Sequence, residues 1–276
     1  MPAAANVFDL PISVASEWIF NCYVIDGGDS LAVIDPGLPL VARRAMELIE
    51  RRLERPVGDV ATIACTHAHP DHVAGVSTVV ERVGCDVHLP HRCASYLAGE
   101  RPRTFPLLEA TMRFLPVWGE QPLSVRALAE FARYGKSVGF GGPPDLTLDF
   151  EPTGFVDDGD GLPGAPGWTA IQAPGHTDDS TCFYHAESET LVSGDAVVTL
   201  DGHAWFNPEY VDAGDSASTE ERLRSLEVRH LLPGHGRPIE ATDVWATARS
   251  PLTPPTGGGV LAQCARHFGR WSPSGD

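Results

Sequence analysis

The sequence predicts an α/β layered fold. Apolar strand-like runs alternate with segments of helical spacing over short links, and several of those strands end in loops that carry His or Asp. Residues 18–26 form a nearly continuous apolar run, Gly27-Gly28-Asp29 a turn, and residues 30–34 a second strand, together a hairpin. Asp35-Pro36-Gly37 breaks it. Residues 40–53 place Val41, Ala45, Leu48, Ile49 and Leu53 at helical spacing with Arg and Glu between them. Residues 60–65 read as a buried strand, 67–72 as its C-terminal loop, 73–82 as a helix and 86–89 as a short strand.

Residues 91–150 differ in character. Pro and Gly are frequent, and amphipathic pieces lie near 106–115 and 123–134. The span is too short to own a full core, so it reads as a helical lid inserted into a single domain of residues 1–250. The strand pattern resumes at 167–173 and ends in Pro174-Gly175-His176-Thr177. Residues 181–184 and 190–193 form a hairpin ending in Gly194-Asp195. Residues 220–226 are helical, and the strand 229–232 ends in Pro233-Gly234-His235-Gly236. A closing helix is expected at 242–248. Residues 251–276, Pro/Gly/Ser-rich at both ends, read as a loosely packed tail.

Composition excludes several classes. The formal charge is −17, which opposes binding to nucleic acid or to an anionic membrane surface. No apolar run approaches the ~20 residues of a membrane span. The start, Met1-Pro2-Ala3-Ala4-Ala5-Asn6, has neither the basic region nor the long apolar region of a secretory signal. Six cysteines are scattered without a Cys-x-x-Cys pair, which suits buried thiols in a reducing cytoplasm. Lys136 is the sole lysine, so a catalytic lysine has no support elsewhere. The expected partner is a small-molecule substrate.

The chemistry concentrates in Thr66-His67-Ala68-His69-Pro70-Asp71-His72. Neutral nitrogen and anionic oxygen donors packed at a strand end are what a divalent transition metal needs. The cluster is too dense for one tetrahedral ion, so it asks for two metals or a crowded single site. Four strands each end in such a loop, bearing His67/His69/Asp71/His72, then His176, Asp195 and His235. Loops at one edge of a sheet can meet although far apart in sequence, which puts seven donor-type residues at one sheet edge. Neighbouring glycines let the backbone turn sharply enough to aim the side chains inward. Asp35 reads as structural, capping its turn or orienting a ligand histidine. His88, His91, His185, His203, His230 and His267 read as nonligands.

These motifs, with Asp35-Pro36-Gly37 after the early hairpin, resemble the metallo-β-lactamase superfamily over roughly residues 10–245 outside the lid. The resemblance implies an αββα sandwich of two mixed β-sheets flanked by helices. It implies one metal held by His67, His69 and His176, a second by Asp71, His72 and His235, and Asp195 bridging both. It also implies two divalent ions, zinc by default with iron or manganese as alternatives, and a shared hydroxide that attacks a carbonyl. Asp71 is the candidate catalytic residue, holding the nucleophile's proton.

Within that superfamily a bridging Asp195 departs from the true β-lactamases. Only about forty residues follow His235, with no basic helical C-terminal region of the glyoxalase II kind. The acidic chain lacks the basic surface of the nuclease members. The flavodiiron pattern carries Glu where His69 stands. The lid adds Phe105, Leu107, Leu108, Met112, Phe114, Leu115, Val117 and Trp118, which either pack the lid onto the body or line an apolar pocket together with Trp18, Phe20, Trp205, Phe206 and Tyr210. Three readings stand: a dinuclear hydrolase of esters, thioesters or lactones; a mononuclear iron persulfide dioxygenase; and a noncatalytic metal-binding domain.

Overall fold

The strands of this protein are apolar on both sides because each sheet is covered on both faces. The computed structural model describes residues 6–104, 107–134 and 145–251. The first sheet is built from β1 (Ile12–Glu17), β2 (Phe20–Asp26), β3 (Leu31–Ile34), β4 (Val60–Ala64), β5 (Asp86–Pro90) and β6 (Gly154–Val156), in that spatial order. Its first three strands pair antiparallel and the rest parallel. The second sheet begins with β7 (Trp168–Gln172), β8 (Thr181–His185) and β9 (Thr190–Gly194). A separate hairpin of β10 (Val197–Leu200) and β11 (His203–Phe206) follows, and β12 (His230–Pro233) and β13 (Ile239–Glu240) return to complete the order β13-β12-β9-β8-β7. In this sheet β9 and β12 run parallel and the other pairs antiparallel. The result is a sandwich of two mixed sheets flanked by helices.

Strand periodicity divides the core. On β2, Tyr23 and Ile25 face the second sheet and pack with Trp168, Phe183, Val192 and Leu232 between the sheets. Cys22 and Val24 face the other way, against Val41, Ala45 and Ile49 of helix α1 (Pro39–Arg51). The outer face of the second sheet has its own cluster, with Leu191, Leu231, Leu223 and Trp245.

Three further helices complete the first half: α2 (Pro70–Val73), α3 (Val76–Val83) and α4 (Arg92–Leu97). The span 91–150 then contributes α5 (Leu107–Trp118) and α6 (Val125–Tyr134). Phe105 and the side chains of Leu107 and Leu108 lie outside the described set. Phe114, Val117 and Ala127 pack into the same core as α1. The indole of Trp18 donates to the Trp118 carbonyl at 3.0 Å, and Glu130 of α6 accepts from Leu40 N and the Arg43 guanidinium, each at 2.8 Å. Helix α7 (Ala213–Arg224) covers the second sheet.

Several expectations shift. Trp18 is not in the strand but in the β1–β2 turn, with a left-handed φ of 56°. β1 itself is unforeseen, because Ser13, Ser16 and Glu17 interrupt its apolar pattern. So are β6 and the β10–β11 hairpin. Helix α7 starts at Ala213 rather than 220, capped by Asp212, which accepts from Gly214 N and Asp215 N. The closing helix is a short 3-10 turn, Val244–Thr247. The expected tail from residue 252 onward lies outside the described residues, as do Lys136, Cys264 and His267. The other five cysteines are free thiols. Among the described residues no helix is long and apolar enough to cross a membrane.

The loops at the C-terminal ends of β3, β4, β7, β9 and β12 meet at one end of the sandwich. The expectation of a single sheet edge is corrected here. The 67–72 loop belongs to the first sheet, and the His176, Asp195 and His235 loops to the second. Hydrogen bonds stitch the two edges. Thr181 N donates to Thr66 O at 2.8 Å, Asn21 Nδ2 to Pro233 O and Gly236 O at 2.9 and 2.7 Å, and Tyr23 OH to Pro233 O at 2.7 Å. Asn21→Ala takes the side-chain donor from Gly236 O while Tyr23 still serves Pro233 O, so it should destabilise the chain by roughly 1–3 kcal/mol, read by urea denaturation.

Candidate metal centre

All seven predicted donors come together. His67, His69 and His176 offer ring nitrogens within 4.8 Å of one another, and Asp71, His72 and His235 form a second such group. Asp195 touches both sides. Its Oδ2 lies 3.6 Å from His176 Nε2 and 3.1 Å from His235 Nε2, and its Oδ1 lies 3.3 Å from His72 Nε2. Asp71 Oδ2 is 3.1 Å from His235 Nε2. Every one of the seven side chains is buried.

Hydrogen bonds on the outward side set the aim of four of the five rings. A histidine presents one nitrogen inward only if the other is held by an outside partner. His176 Nδ1 donates to Glu209 O at 2.8 Å, and His235 Nδ1 to Ile19 O at 3.2 Å. His72 Nδ1 donates to Asp35 Oδ2 at 2.9 Å. Thr66 Oγ1 donates to the same Asp35 oxygen at 2.7 Å, and so accepts from His67 Nδ1 at 3.1 Å. Four rings thereby turn Nε2 inward. His69 instead faces the cluster through Nδ1, 3.2 Å from His176 Nε2. Asp35 thus orients His72 directly and His67 through Thr66, the role expected for it.

Two glycines show how tight the packing is. A Cβ on Gly234 would lie 2.4 Å from Asp195 Oδ1 and 2.8 Å from His72 Cε1. Gly194 has φ 49°, and its Cβ would strike Thr66 Oγ1 at 2.5 Å.

Charge is unevenly shared. Burial pushes the His67 and His176 rings down and holds His69 to about 3, so these rings are neutral. Burial also opposes charge on His72 and His235, but Asp195 with Asp35 or Asp71 outweighs it: His72 is raised and His235 reaches about 10. Burial would raise Asp71 and Asp195, yet the facing His235 and His72 hold both carboxylates below their ordinary range. Glu209 is raised to about 8 by burial and by Asp195.

The residues fit a metal. Among the described residues, His67 Nε2, Asp71 Oδ1, His72 Nε2 and Asp195 Oδ1 are buried polar atoms without a hydrogen-bond partner. Orphaned donors of this kind cost free energy unless something else engages them. Here they point at one another, as ligands do. Two carboxylates and five imidazoles form a metal-binding site with capacity for two ions. His91, His185, His203 and His230 bond elsewhere, to Asp157, Ser188, Thr247 and the Ser188 carbonyl.

The sequence pattern of the metallo-beta-lactamase superfamily matches residues 17–235. The chain belongs to that superfamily. It is 23% identical over 253 residues to the probable metallo-hydrolase YflN of Bacillus subtilis strain 168, covering 86% of each chain. Among solved structures it resembles the metallo-beta-lactamase family protein TTHA1429 from Thermus thermophilus, with TM-score 0.57 and 23% identity over 94% of this chain and 80% of that one. It also resembles TTHA1623, solved in a di-iron-bound form, with TM-score 0.51 and 22% identity over 83% of this chain and 93% of that one. These structural likenesses show the superfamily fold. Fold and donor cluster together support a metal-dependent hydrolase.

Sequence reasoning missed the supports. Thr66, Asp179, Asn207 and Glu209 hold the site without being donors to it. Asn207 Nδ2 donates to Asp195 O at 2.8 Å, and its Oδ1 accepts from Glu209 N at 2.9 Å. Asp178-Asp179, two residues past His176 in the same loop, was a legible signal. The 207–210 turn follows the unforeseen β10–β11 hairpin and carried none.

Gly234→Ala should leave a folded chain that has lost at least one of its metals, checked by circular dichroism and elemental analysis. Metal binding should also release protons. A raised pKa keeps His235 and His72 protonated at pH 7, whereas ligation needs the neutral ring. Apparent affinity should therefore climb as pH rises toward about 10. A pH indicator during zinc titration of the metal-free chain reads this directly, and proton-neutral binding would contradict it.

Proposed function

We propose that the chain hydrolyses a carboxylic ester, thioester or lactone with two divalent ions, zinc by default. The observation that carries this reading is the reach of Asp195 to both donor triads. His67, His69 and His176 would hold one ion, Asp71, His72 and His235 the other, and Asp195 would serve both. Ions so placed supply nucleophilic water near neutral pH and polarise a scissile carbonyl. Iron and manganese accept the same donors, and the di-iron form of TTHA1623 keeps iron in view.

The chain's own residues supply the rest. Asp71 engages His235 through Oδ2, while its Oδ1 has no hydrogen bond. That free oxygen is the place where a proton taken from attacking water can be held. The Nδ1 bonds from Asp35, Thr66, Ile19 and Glu209 keep the rings from turning as charge develops.

Apolar side chains flank the His235 side. Phe20 and Phe114 both make T-shaped contacts with the His235 ring, each at a centroid distance of 5.4 Å. Such walls favour an apolar acyl or ring substituent on the substrate. We read residues 1–250 as one domain, with 91–150 as its lid, and the free thiols as suited to the cytoplasm.

The test joins metal analysis to a panel of aryl esters, thioesters and lactones. Two zinc ions per chain with turnover are expected. One iron per chain with oxygen consumption points to the dioxygenase, and bound metal without any turnover to a binding domain. His69→Ala should keep the fold, lose a metal and lose nearly all activity; full activity in that variant removes the site assignment. Phe114→Ala should change the relative rates on long and short acyl chains more than metal content. An unchanged profile makes the lid purely structural.

A further inference from the structure

The cluster's own donors, Asp35 and Glu209 are accounted for, but one more carboxylate lies buried beside them with no metal-facing role. Asp179 is 5% exposed. Its Oδ2 accepts from Ala68 N at 2.8 Å, and Ala68 is the residue between His67 and His69. The same oxygen accepts the Cys93 thiol at 3.4 Å, and the Thr177 hydroxyl also bonds the carboxylate. All these partners are neutral. The nearby guanidinium of Arg92 goes instead to Asp178, at 3.2 Å.

The placement is informative. Thr181 N bonds Thr66 O at 2.8 Å, so the 177–181 loop grips the 66–68 backbone at two successive points. The gripping loop carries His176 and the gripped one carries His67 and His69. All three members of the first donor triad therefore hang on one short backbone junction. Helix α4 fastens to the same junction on one face: Arg92 and the Tyr96 hydroxyl bond Asp178, and Cys93 bonds Asp179. An amide N–H lets the backbone swing unless an acceptor fixes it, and the Asp179 oxygen is that acceptor here.

We propose that Asp179 is a positioning residue for the first metal: its carboxylate oxygen sets the Ala68 amide so that His67 and His69 present their nitrogens together, and it ties that setting to α4 where the lid begins. The proposal rests on the metal-binding reading above. It concerns placement of an oxygen, not the charge on it.

Three variants separate the possibilities, with cobalt(II) as the probe on the metal-free full chain. Affinity is read by competition with a chromophoric chelator, and site geometry by the cobalt absorption bands. Asp179→Asn keeps a carbonyl oxygen at Ala68 and loses the charge, so its affinity should stay within about threefold of wild type with an unshifted spectrum. Asp179→Glu keeps the charge and displaces the oxygen, and should weaken the first metal ~10- to 100-fold and shift the bands, as should Asp179→Ala. If Asp179→Ala does not fold, the Asn and Glu pair still decides. Wild-type affinity and bands in the Glu variant overturn the proposal. So does an Asn variant as weak as Glu, because charge would then be what matters. A wild-type chain that takes up no cobalt overturns the metal reading, and this inference with it.

Discussion

Five imidazoles and two carboxylates can share one buried cluster only if each is turned to a fixed angle and something satisfies its inward atom. The first half of that condition is met by bonds on the outward side. Four histidines give Nδ1 to a backbone carbonyl, a carboxylate or a threonine hydroxyl, which leaves Nε2 directed at the cluster. In the metal-free chain, protons on His72 and His235 neutralise Asp195 and Asp71 where cations would otherwise stand. Two such protons match the two carboxylates in charge. That balance is why so many polar groups can be buried beside an apolar core without unfolding it.

The sandwich brings these side chains together at one end. Packing between the sheets, with Tyr23, Ile25, Phe183 and Val192, sets how far apart their edges lie. The edge bonds from Asn21, Tyr23 and Thr181 then fix how the loops of one sheet address those of the other. Gly234 and Gly194 sit where any side chain would fill the space between donors. The helices of the 91–150 span add a wall rather than a donor. Trp18, Phe114 and Glu130 bind them to the hairpin, the His235 ring and α1.

Much of the fold was readable because most strands are long apolar runs bounded by turns. β2, β3, β4, β7, β8, β9 and β12 all announce themselves this way. β1 did not, because a strand at the sheet edge carries Ser13, Ser16 and Glu17 among its apolar residues. The β10–β11 hairpin was hidden in another way. Its strands are short, four residues each, and the Asp201-Gly202 turn between them was the signal that marked the pair and went unread. Helix α7 begins with Ala, Gly, Asp and Ser, and the local N-cap of Asp212 rather than apolar periodicity starts it.

For the site, residue identity was enough to single out the seven side chains that the fold gathers, since metal chemistry demands His and Asp at strand ends with little regard to neighbours. It could not say that the donors come from two sheets, that His69 faces inward by Nδ1 while the other four rings use Nε2, or that Asp179 grips the backbone between two of them. Those facts depend on contacts between residues about thirty to more than two hundred positions apart, such as Asp35 with His72 and Ile19 with His235. Donor chemistry is a property of a side chain and travels with the sequence. The angle at which that side chain is held is a property of whatever lies behind it, and only folding decides what that is.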